Sequence, residues 1–67
     1  MTEQRVKEII AILDNGNPPK SEEGLAILFE IYHLYKELNP RGEDFTCKWC
    51  NRNFYFMWIR RYAKRVY

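Results

Sequence analysis

The last third of this 67-residue chain has no acidic residue: after Asp44, aspartate and glutamate do not recur. Histidine occurs once, as His33, and glycine and proline three times each. A single histidine, with no nucleophile and carboxylate spaced around it, gives no catalytic constellation. No Gly-rich phosphate loop, no H-E-x-x-H and no paired-carboxylate signature occurs, so an enzyme is not expected. No uninterrupted apolar run approaches the ~20 residues that span a bilayer, and the opening MTEQRVKEII lacks a signal peptide's order of charge before apolar run. The expectation is no membrane and a reducing compartment, where the two cysteines are thiols. Nothing alternates like a strand, and no segment repeats.

What the chain does contain is apolar and aromatic. Hydrophobic residues make up 46% and aromatics 16% of it, a composition that folds. At this length there is one domain, and its core is marginal without a staple, a metal or a partner. Charge is divided unevenly. Residues 1–46 carry nine acids against five bases, whereas residues 47–67 carry Lys48, Arg52, Arg60, Arg61, Lys64 and Arg65 and no acid. Such a chain can meet nucleic acid, an acidic protein surface or a second copy of itself.

Capping and periodicity predict an all-α, small three-helix domain. Thr2 caps a first helix over about 3–14, with Val6, Ile9, Ile10 and Leu13 on one face, and Asn15-Gly16 stops it. After the stiff Asn17-Pro18-Pro19-Lys20 connector, Ser21 caps a second helix over about 22–38, ended by Asn39-Pro40. Its two apolar stripes, Leu25/Leu28/Phe29/Tyr32/Tyr35 and Ile27/Ile31/Leu34/Leu38, suit the central helix of the domain. A loop of about eight residues then leads to Thr46 as cap of a third helix over about 47–66, with Phe45 placed to reach Cys50 as a hydrophobic staple. Helical stepping places Cys47, Cys50, Phe54, Met57 and Trp58 on one face and Tyr55, Ile59, Tyr62 and Val66 on the next, with Trp49, Phe56 and Tyr67 further round. Two short helices cannot cover so wide an arc. Some of it is left for a partner.

The C-x-x-C of Cys47 and Cys50 is the most conspicuous motif. Zinc usually takes four ligands, and this pair supplies two; His33, Glu43, Asp44 or a second copy would have to complete the set. A thioredoxin-like redox site needs a preceding strand, which is missing, although a helix N-terminus does lower a thiol pKa. The simpler reading makes both cysteines small buried apolar residues where the third helix enters the core, with no cofactor, and zinc as the alternative.

The basic, aromatic third helix has two uses. Trp, Tyr and Arg are the residue types that anchor protein interfaces, and Trp49, Tyr55, Trp58, Arg60, Arg61, Tyr62, Lys64 and Arg65 supply them. The same cations, with Lys48 and Arg52, could neutralise phosphates, while Asn51, Asn53 and Arg52 reached for bases in a major groove. The connection to the second helix, however, exceeds the 3–4 residues of a helix-turn-helix, and bulky aromatics crowd a recognition helix. The leading expectation is therefore docking on a larger protein or a second copy, with nucleic acid as the alternative partner.

The order LFEIYHLYKELNP, loop, FTCKWCNRNFYFMWIRR resembles a class of short helical proteins encoded by tailed phages, in which a Y-x-x-Y/F helix precedes a helix that opens with C-x-x-C. Tyr32, Tyr35, Cys47, Cys50 and the run to Arg61 carry the resemblance, over roughly the last forty residues. It implies a phage-encoded protein in the virion or the host cytoplasm, either a small structural or adaptor component or an inhibitor of a host nucleic-acid enzyme.

Overall fold

A computed structural model describes all residues, 1–67, as three helices: α1, Glu3–Asp14; α2, Glu22–Leu38; and α3, Arg52–Val66. The first two begin where their caps place them. Thr2 Oγ1 accepts the Arg5 N–H at 3.1 Å and Ser21 Oγ accepts the Gly24 N–H at 3.1 Å, each satisfying an otherwise unpaired first-turn donor. Past the end of α1, Gly16 takes φ +109°, a conformation open to glycine at little cost. Gly24 is buried because the Pro18-Pro19 connector lies on the first turn of α2. A Cβ at Gly24 would run into the Pro19 carbonyl oxygen.

Three helices bring eleven residues into one core. Val6, Ile9 and Leu13 come from α1; Ile27, Leu28, Ile31, Leu34 and Tyr35 from α2; Tyr55, Phe56 and Ile59 from α3. The central element is α3, which packs on both neighbours, and not α2 as its two stripes suggested. Backbone contact between α1 and α2 is slight. They are joined instead by a two-pronged ion pair, Arg5 Nε to Glu30 Oε1 at 2.9 Å and Nη2 to Oε2 at 2.6 Å. Arg5 holds the Glu30 carboxyl below the usual carboxylate range. Arg60 of α3 reaches back to α1, donating from Nη2 at 3.1 Å to the Leu13 carbonyl, which also accepts the Gly16 N–H at 3.1 Å.

The third helix departs from expectation at its start. It opens at Arg52 rather than Cys47, and residues 47–51 form tight turns with backbone bonds from Asn51 N to Lys48 O and from Arg52 N to Trp49 O. Thr46 caps nothing; Asn51 stands at the N-cap and spends its side-chain amide on the Cys47 carbonyl at 2.9 Å. The link from α2 is thus the thirteen residues 39–51. Two buried tyrosines hold it: Tyr35 Oη accepts the Glu43 N–H at 2.9 Å, and Tyr55 Oη donates to the Glu43 carbonyl at 3.1 Å. Lys36 Nζ adds bonds to the Pro40 and Gly42 carbonyls, both 3.0 Å.

The inward face of α3 also differs from the face that Cys47 and Cys50 suggested. Tyr55, Phe56 and Ile59 point to the core, while Phe54 and Met57 point out. Phe56, placed on the far side by the sequence reading, is fully buried. Phe45 does not staple Cys50; it packs edge-on to Phe54 and Tyr55, with ring centroids 5.4 and 6.0 Å apart.

Candidate functional site

Stepping ~100° per residue along α3, the outer arc carries Met57, Arg61, Phe54, Arg65 and Trp58 in angular order, with Lys64 on one edge and Tyr62 on the other. Phe54 keeps 38% and Met57 49% of its surface exposed. Trp58 is half-buried. Its ring stands edge-on to Tyr35 at 5.2 Å and is stacked on Tyr62 at 5.2 Å and 13°, so the exposed part of the indole is rigidly presented. Tyr35 also supports Phe54 edge-on at 5.5 Å. The core side of α3 therefore sets the rotamers of the outward side. A rigid, part-exposed aromatic pair is the kind of group that anchors an interface at low entropic cost.

The six cations of the last third have separate fates. Lys48 pairs with Asp44 at 2.9 Å, donates to the Phe45 carbonyl at 3.0 Å and lies 4.6 Å from the Tyr32 ring centroid. Arg52 lies over the Trp49 ring at 4.7 Å and donates to the Trp49 carbonyl. Arg60 is committed to Leu13. The side chains of Arg61, Lys64 and Arg65 are exposed and make no hydrogen bond or ion pair within the chain. Lys48, with a smaller contribution from the Tyr32 hydroxyl, draws the Asp44 carboxyl below its ordinary range.

The eight residues singled out as partner-binding thus divide. Trp58, Arg61, Tyr62, Lys64 and Arg65 share the outer arc of α3. Tyr55 is 0% exposed and belongs to the core, and Arg60 is turned toward α1. Trp49 lies in the turn before α3, half-buried against the core under the Arg52 guanidinium. Phe54 and Met57 are surface groups that the sequence does not mark, because the cysteines suggest the opposite face as the outward one. The signal that could have corrected this is Ile59, an aliphatic β-branched residue in line with Tyr55, Phe56 and Ala63 rather than with the cysteines.

Cys47 and Cys50 are neither buried nor thiols in this structure. Both are exposed and are joined to each other as a disulfide, their Cα atoms 5.3 Å apart, a separation that a disulfide spans readily. Both lie in the tight turns that precede α3, with their side chains exposed. No three His, Cys, Asp or Glu side chains gather in one place. His33 is exposed and lines an open groove of about 450 Å³ between the start of α1 and α2, where Glu30 is already engaged by Arg5. No helix is long and apolar enough to cross a membrane. No known protein family, curated protein or solved structure matches the chain.

Proposed function

We propose that this protein is a non-enzymatic interaction module that docks through the outer face of α3 onto an acidic-rimmed, apolar protein surface. The observation that carries this reading is the exposure of Phe54 and Met57 beside the rigid Trp58–Tyr62 stack, amid cations that no internal acid pairs. An apolar centre with a charged rim is the ordinary anatomy of a protein interface. Phe54 and Met57, with the exposed edges of Trp58 and Tyr62, would supply the apolar centre of such a contact. The resemblance to short tailed-phage proteins supports a partner in a virion or in host machinery. Nucleic acid is the second reading. Of the six cations of the last third, Arg61, Lys64 and Arg65 are free to take phosphates, all within about a turn of helix, which favours the protein partner.

The test uses a folded surface variant, Met57→Ser/Arg61→Glu/Arg65→Glu. Cross-linking in expressing cells should capture a partner, or a second copy, on wild-type α3. The capture should drop at least tenfold in the variant and persist in Lys7→Glu, which lies on the far helix. Binding to duplex DNA at physiological salt should be weaker than micromolar. Sub-micromolar, salt-dependent DNA binding lost on reversing Arg61, Lys64 and Arg65 would replace the first reading with the second. A chain that stays monomeric and captures nothing in either arm refutes both.

No cofactor enters this proposal. Two cysteines offer zinc half a usual ligand set, so a shared site would need the pair from a second copy. Elemental analysis of the monomer after mild reduction should give no stoichiometric zinc; one zinc per two chains would establish the shared site instead.

A further inference from the structure

We propose that Cys47–Cys50 is a thiol-exchange site, opened and re-formed on the folded protein by low-molecular-mass thiols of the glutathione class, and not a staple of the fold. Three independent features lead there. The first is access. Both cysteines are exposed, so an incoming thiolate can reach a sulfur without unfolding the domain.

The second is that the fold does not lean on the bond. It closes a very short loop, of sequence separation 3, for which the chain-entropy gain is small. Neither cysteine is among the core residues or the partly buried side chains packed on them. The turn has its own ties: Asn51 Nδ2 to the Cys47 carbonyl, Lys48 to Asp44 and the Phe45 carbonyl, and Arg52 to the Trp49 carbonyl. These remain when the sulfurs part.

The third is an asymmetry between the sulfurs. The Cys50 backbone N–H points at Cys47 Sγ, 3.2 Å away, as a cap would receive it. That donor stabilises negative charge on Cys47, in a segment with no acid after Asp44 and with Asp44 itself paired to Lys48. The direction of exchange follows. A thiolate RS⁻ attacks Cys50 Sγ, the S–S bond breaks, and its electron pair leaves on Cys47 as a thiolate held by the Cys50 N–H. A second RS⁻ attacks the outer sulfur of the mixed disulfide, forming RSSR and releasing Cys50 as a thiolate, and both cysteine thiolates can take up protons. Two electrons pass from two RSH to the protein. In reverse, Cys47 is the residue that expels the mixed disulfide from Cys50.

The experiment equilibrates the full chain in native buffer with reduced and oxidised glutathione at varied ratio, quenches with an alkylating agent and reads the mass. The two cysteines should convert together, and helical circular dichroism should be unchanged between the end states. The single variants then separate the sulfurs. In Cys50→Ser, which keeps the backbone N–H, alkylation of Cys47 should have its pH midpoint below the ordinary thiol value of about 8.5. In Cys47→Ser, the Cys50 midpoint should lie at or above it. A pair that is reduced only in denaturant, or whose reduction melts the helices, overturns the proposal. Equal midpoints in the two variants overturn the assigned direction of exchange.

Discussion

Tyr55→Ala should leave the chain largely unfolded at room temperature. Tyr55 is fully buried and is the hub of the aromatic cluster, edge-on to Tyr32, Tyr35, Phe45 and Phe54 at centroid distances of 5.6, 5.5, 6.0 and 5.2 Å. Removing a ring of this size from a core costs about 3–5 kcal/mol. A domain of this length has a total stability of roughly 3–10 kcal/mol at the usual per-residue value, so the loss approaches the whole. Tyr55→Phe separates packing from the hydroxyl. It keeps the ring, loses the bond to the Glu43 carbonyl and should cost about 1 kcal/mol. Urea unfolding followed by circular dichroism measures both, and a Tyr55→Ala protein with wild-type midpoint would show that α3 presents another face to the core.

Gly42→Ala should be nearly as damaging, although Gly42 lies in a loop. A Cβ at this position would overlap the ring and hydroxyl of Tyr35. That ring cannot swing aside: Phe54, Tyr55 and Trp58 stand edge-on around it at 5.5, 5.5 and 5.2 Å, and its hydroxyl holds the Glu43 N–H. Overpacking costs about 1–3 kcal/mol, and displacing the loop adds about 1 kcal/mol for the Tyr35–Glu43 bond. The expected sum is roughly 2–4 kcal/mol, by the same two contributions. The origin can be checked with a double-mutant cycle. Tyr35→Leu removes the atoms that the new methyl meets, so Gly42→Ala should cost much less in that background. A Gly42→Ala change within about 0.5 kcal/mol of wild type would place the loop away from the ring.

The local rules read the first two helices well and the third poorly, for a reason visible in the residues. Thr2, Asn15-Gly16, Ser21 and Asn39-Pro40 are signals that act over three or four residues, and each works in the structure as its chemistry dictates. At Thr46 the same kind of signal lost to tertiary geometry. Glu43, clamped between Tyr35 and Tyr55, delays the chain's entry into α3, and Asp44, Lys48 and the two cysteines build a turn there. No window of neighbouring residues contains that clamp. The candidate surface was half legible for a related reason. Composition and charge pointed to the right helix and to Trp58, Arg61, Tyr62, Lys64 and Arg65. Tyr55 and Phe54 exchanged roles, one inward and one outward, because on a helix apolar nearly all round the inward arc is chosen by its neighbours.

The position of α3 between its neighbours also governs the order in which the molecule can be made. Synthesis delivers α1 and α2 first, yet their backbones make little contact, and the residues that both pack on, Tyr55, Phe56 and Ile59, come later in α3. No N-terminal half can therefore mature while the rest is still being translated, and the loop that seats α3 has only its ties to Tyr35 and Lys36 until Tyr55 arrives. The nascent chain must carry its apolar helices unprotected until α3 has emerged, then collapse in one cooperative event. A truncation of even the final helix would leave an aggregation-prone pair and no smaller functional unit.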